Sequence, residues 1–64
     1  MNEELRMTKS GHVYLLLAKT PGQPDSIVRI RKVGTNGEPT QKMWNNGPTA
    51  YWGIAQWLKL KRVY

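Results

Sequence analysis

The sequence predicts an α+β fold, a three-stranded antiparallel sheet with one C-terminal helix packed on one face. Three observations predict it. Residues 27–33 alternate with period two, which places Val28 and Ile30 on one face of a strand and Arg29 and Arg31 on the other. The pair Asn36-Gly37 between two apolar runs is the strongest short-range hairpin signal in the chain. Tyr51, Ile54, Ala55 and Leu58 recur at i, i+3, i+4 and i+7, the spacing of one helical face.

Residues 1–10 are polar and lack periodicity, so they read as a flexible N-terminal tail before a single domain at 11–64. Residues 12–18 form the first strand. Val13, Leu15 and Leu17 face one way, Tyr14 and Leu16 the other, and apolar residues on both sides predict a central strand. Pro21, Gly22 and Pro24 make the next stretch a loop. Residues 26–33 form the second strand, the Asn-Gly turn follows, and residues 40–44 form a short third strand. The break at Asn45-Asn46-Gly47-Pro48 precedes a helix that begins at 48 or 49 and runs to 58 or beyond. Pro48 suits its first turn, and Lys59, Lys61 and Arg62 suit the negative end of its dipole. The expected core is Val13, Leu15, Leu17, Val28, Ile30, Met43, Ile54 and Leu58, with Trp57 or Tyr51 as the large filler.

Composition bounds the function. A chain of 64 residues makes one small domain, which buries only about 60% of its unfolded surface. With no cysteine it has neither a disulfide nor a thiolate metal site, a usage that suits a reducing cytosol. Its single histidine, His12, stands alone beside Gly11, where a solvated histidine is expected, and the four acids are scattered. No metal, cofactor or small-molecule substrate is expected, and no enzyme, because general acid–base work needs a positioned histidine or carboxylate pair. The glycines at 34 and 37 lack the lysine and following helix of a phosphate loop. No apolar run reaches a membrane span, and the first residues lack the apolar stretch of a signal peptide. The expectation is a soluble, cytoplasmic protein.

The net charge is +6. Residues 1–38 hold all four acids and carry a net +2, whereas residues 39–64 hold no acid and carry +4. The predicted strands and helix therefore bear only positive charge, a field that attracts nucleic acid or an acidic protein surface. Arg29 and Arg31 share a sheet face that Lys42 would extend, and their planar forks suit phosphate or carboxylate. Trp44 and Trp52, off the main apolar faces, are candidate anchors. The expected partner-binding set is Arg29, Arg31, Lys32, Lys42, Trp44, Trp52, Lys59, Lys61 and Arg62.

Two resemblances bear on the partner. A three-stranded sheet with a C-terminal helix and a basic face resembles the arm-binding domains of phage integrases and the plant AP2 type. It implies a sheet laid in the major groove of DNA, with Arg29, Arg31 and Lys42 as contacts. In size, charge and tail-plus-domain layout the chain also resembles the small host-takeover proteins of bacteriophages, in particular the transcription regulators of the Xanthomonas phage type. That resemblance implies binding to bacterial RNA polymerase, inhibition of transcription initiation, and antitermination. The polymerase, or another acidic protein surface, is the first expectation, and DNA the second.

Overall fold

A computed structural model describes residues 3–64. It is mostly sheet. Six antiparallel strands, β1 (Leu5–Met7), β2 (Val13–Leu16), β3 (Ile27–Thr35), β4 (Glu38–Pro39), β5 (Thr49–Gly53) and β6 (Lys61–Arg62), form one sheet with two short helices, α1 (Gln41–Asn46) and α2 (Ile54–Leu58). The order is β4-β3-β2-β1-β6, with β5 also on β3, and the sheet curls into a half-barrel. The predicted three-stranded sheet with one C-terminal helix is therefore incorrect, and each departure has a local cause.

Residues 5–7, assigned by sequence to a flexible tail, form β1. Leu5 lies opposite Leu15 and is buried. Three residues are too few to display a period, so the strand became visible only through its partners. Of the tail assignment, Met1 and Asn2 lie outside the described residues, and residues 8–10 form the turn that leads from β1 toward β2.

The strand expected at 40–44 is helix α1. Thr40 caps it, its hydroxyl oxygen accepting the Met43 N–H at 3.2 Å. Pro39 ends β4 just before, and Gln-Lys-Met in the first turn are good helix formers. The helix expected from 48 or 49 is largely strand β5, followed by the five residues of α2. Thr49, Tyr51 and Trp52 favour extended backbone, and pairing with β3 over Ile27–Arg31 outweighs the helical stripe, which is too short to be stable alone. The stripe's members are accordingly exposed: Tyr51 60%, Leu58 58%, Ile54 39%.

The strands expected at 12–18 and 26–33 form as β2, shorter at both ends, and β3, which runs on to Thr35. β2 lies between β1 and β3 and carries a core on each side. One cluster joins Leu5, Val13, Leu15 and Val33, with Met7, Leu17 and Trp44 against it. The other joins Val28, Ile30 and Trp57, with Tyr14, Leu16, Trp52 and Leu60. Five of the expected core residues are thus buried, Val13, Leu15, Val28, Ile30 and Trp57. Leu17 and Met43 are half-buried, while Ile54, Leu58 and Tyr51 are exposed. The Asn-Gly turn joins β3 to β4, with positive φ at both Asn36 and Gly37, as a two-residue hairpin loop of this type demands.

A bulge in β3 shifts its register against β2, from Tyr14 opposite Lys32 to Val13 opposite Gly34. The bend it introduces lets one long strand serve β5 along its first half and β4 along its second.

Candidate functional site

Each predicted contact residue has a definite place. Arg31 is not free to meet a partner. Its Nε–H donates to Gly47 O and its Nη1 to Trp44 O, both at 3.1 Å, so the guanidinium ties the end of α1 to β3. Lys42 lies on α1, not on a strand beside Arg31. With α1 packed on the face that carries Arg31, the bare three-stranded platform expected for groove binding is absent. Lys32 is half-buried on the opposite face, across from Tyr14. Trp44 and Trp52 are half-buried against the two cores, and Trp52 packs on Tyr14 with ring centroids 4.8 Å apart. Arg29 is half-buried opposite Tyr51 and makes no ion pair or side-chain hydrogen bond among the described residues.

His12 is half-buried rather than solvated, and its Nδ1 is enclosed without a partner among the described residues. No group of three or more acids, histidines or cysteines that could hold a metal occurs among the described residues, and no helix of theirs is long and apolar enough to cross a membrane.

Where β1 meets β6, cations gather. Met7 pairs with Lys61, and an open groove runs along this seam, lined by Met7, Thr8, Lys9, Lys59, Leu60 and Lys61. Its floor is apolar, from Met7 and Leu60, which also pack on the two cores. Three lysines ring it. None of them forms an ion pair among the described residues, and no acid lines the groove. Lys59 and Lys61 were expected from the sequence. Lys9 was missed because it stands in a segment read as tail, and only the β1–β6 pairing brings it to the others. Backbone bonds from Thr8 N–H to His12 O and from Gly11 N–H to Thr8 O fix its turn.

Next to this seam the charges are compensated. Arg6 lies opposite Arg62 across the β1–β6 pair, a repulsive arrangement. Glu4 offsets it. Its Oε2 accepts the Arg6 Nε–H at 2.7 Å and the Trp57 indole N–H at 3.2 Å. Arg6 also donates to Leu60 O at 2.9 Å and stands 5.6 Å from the Trp57 ring. The hydrogen bond from Arg6 holds the Glu4 carboxyl below the usual glutamate range against the opposing effect of burial, with help from the Arg6 charge, the Trp57 hydrogen bond and the Arg62 charge. Glu4 thus uses Arg6 and Arg62 locally and leaves the three lysines unmatched.

This coupling has a pH signature. A carboxyl whose folded-state pKa is depressed contributes its stability above the ordinary glutamate range, and loses it as pH falls through the lower folded-state value. The thermal midpoint is therefore expected to fall in acid, and Glu4→Gln, which costs about 1–3 kcal/mol near neutrality, to flatten that fall. Melting both proteins along an acid series checks it; equal slopes would remove Glu4 as the cause. Asp25, also lowered by its exposed pairing with Lys19, is common to both proteins.

No protein-family model, curated protein or solved structure matches the chain.

Proposed function

We propose that this chain is a small basic binding protein that docks on an acidic protein surface, acting as a transcription regulator that engages bacterial RNA polymerase and inhibits initiation. The observation that carries the docking surface is the seam groove, where Lys9, Lys59 and Lys61 stand unpaired around an apolar floor of Met7 and Leu60. Unpaired lysines steer an acidic partner toward the groove and raise its encounter rate. The apolar floor then offers area to bury once contact is made. The polymerase as the partner rests on the resemblance in size, charge and layout.

Direct DNA binding through the sheet face draws less support. Two of its three expected contacts, Arg31 and Lys42, are respectively engaged with α1 and carried on it.

Immobilised protein challenged with purified bacterial RNA polymerase and, separately, with short duplex DNA tests the proposal. Polymerase is expected to be retained at moderate salt. The triple variant Lys9→Glu, Lys59→Glu, Lys61→Glu is expected to weaken that retention at least about tenfold, ~1.4 kcal/mol, without lowering the thermal midpoint. Duplex binding with a salt slope of several phosphates, about −0.9 for each, and no retained polymerase would reject it in favour of DNA.

A further inference from the structure

The sheet has three strands with an outer edge, and two of them are protected. β4 is two residues, one charged and one proline. β6 is two residues, both cationic. Short length, charge and proline are the usual means by which a sheet edge avoids pairing with another chain. β5 has none of them. It is five residues, Thr-Ala-Tyr-Trp-Gly, without charge or proline.

The hydrogen-bond phase of β5 shows which groups are free. Ile54 N–H donates to Ser26 O at 2.8 Å, and Lys32 N–H donates to Pro48 O at 3.0 Å. Antiparallel ladders alternate, so Ala50 and Trp52 direct their backbone groups to β3. Thr49 and Tyr51 direct theirs away from the sheet and have no backbone hydrogen bond outside the ladder, and Gly53 directs its N–H the same way while its C=O serves as the N-cap carbonyl of α2. The face above the end of the strand is open, since a Cβ placed on Gly53 would meet no atom within 4 Å. The Tyr51 side chain is 60% exposed beside this edge.

We infer that β5 is an acceptor edge for strand addition, and that its occupant is an extended acidic segment of a protein partner. Charge selects the occupant. Arg29 sits directly opposite Tyr51 and shares its face, and it has no ion pair among the described residues. β3, β5 and α2 contain no acid. An added strand would lie about 10 Å from β3, a gap that an arginine and a glutamate span by reaching toward each other over Tyr51. A second copy of this chain is disfavoured as the occupant, since it would bring another +6 to the same edge. Main-chain bonds supply affinity in this mode, and the alternate side chains supply selectivity. The edge is separate from the lysine groove, which lies on β1 and β6, so the charge-reversed lysine variant keeps this binding and the two proposals fail independently.

The test uses a capped peptide of alternating glutamate and valine, long enough to span β5, followed by amide hydrogen exchange and chemical shifts. Exchange at Thr49, Tyr51 and Gly53 is expected to slow on addition, with Ala50 and Trp52 unaffected. The same peptide N-methylated on alternate residues, or its lysine–valine counterpart, is expected to bind at least about tenfold more weakly. Tyr51→Pro removes an outward N–H and no ladder bond, and is expected to abolish binding; Arg29→Gln weakens it and keeps the strand intact. Should Tyr51→Pro fail to fold, the N-methylated peptide supplies the same comparison. Equal binding of the N-methylated peptide, or indifference to Arg29→Gln, overturns the proposal. So does protection of the same amides that rises with protein concentration in the absence of peptide, which would make a second copy the occupant.

Discussion

Trp57→Ala is expected to unfold the domain. Trp57 is 1% exposed and is the largest buried side chain. It belongs to the cluster with Val28 and Ile30, and Leu16, Leu60, Tyr14 and Trp52 pack against that cluster. Truncating a buried tryptophan costs about 3–5 kcal/mol, from lost transfer energy and the cavity left behind. A chain of this length has roughly 3–10 kcal/mol to lose. The damage extends beyond the core, because the indole N–H also holds Glu4 and the ring faces Arg6. Trp57→Phe keeps an aromatic ring but loses the indole N–H and part of the ring volume, so its cost is expected to be smaller than that of alanine, about 1–3 kcal/mol. Urea denaturation followed by circular dichroism measures both. An alanine variant melting within a few degrees of the parent would mean that the two clusters do not depend on this residue.

Gly34→Ala is expected to cost about 3 kcal/mol, the upper part of the overpacking range. Gly34 is buried in β3 opposite Pro39. A Cβ there would strike the Glu38 carbonyl and approach the Pro39 Cα to 2.6 Å. Those are backbone atoms, so relief requires moving β4 and with it the Asn36-Gly37 turn. Gly53→Ala is the matched control. Its backbone, φ −65° and ψ 143°, suits any residue, and its surroundings are open. It is expected to be neutral or to stabilise by about 0.4–1 kcal/mol through the unfolded chain. Thermal midpoints of the two variants decide the matter; equal midpoints would show that β4 yields freely.

The strands legible in the sequence were those long enough to show a period. Residues 13–17 and 27–33 alternate over several positions, and the Asn-Gly pair between β3 and β4 carries its own backbone requirement. The segment at 40–53 has no such length. Met43 and Trp44 are adjacent, which neither period explains, and Tyr51, Ile54, Ala55 and Leu58 match a helical stripe that the fold does not bury. The predicted site was partly legible for the same reason. Lys59 and Lys61 stand out as a cationic run, whereas Lys9 joins them only by strand pairing. Arg31 could not be separated from Arg29 by spacing, since alternation gives them one face and only α1 distinguishes them.

By itself the sequence determined a small, cysteine-free, strongly basic domain with a two-faced strand at its centre and a hairpin beside it. Those features follow from composition and from local backbone preferences, which act wherever the residues are placed. The tertiary structure decided the rest. β3 has an edge beyond β2, and its unpaired backbone groups recruit 49–53 as a strand against the segment's own helical spacing. β1 is held by Leu15 on one side and β6 on the other, and that pairing brings Lys9 to Lys59 and Lys61. Main-chain hydrogen bonds between segments distant in the chain leave no period in the sequence, so the curled sheet, its lysine groove and its open edge appear only when the chain has folded.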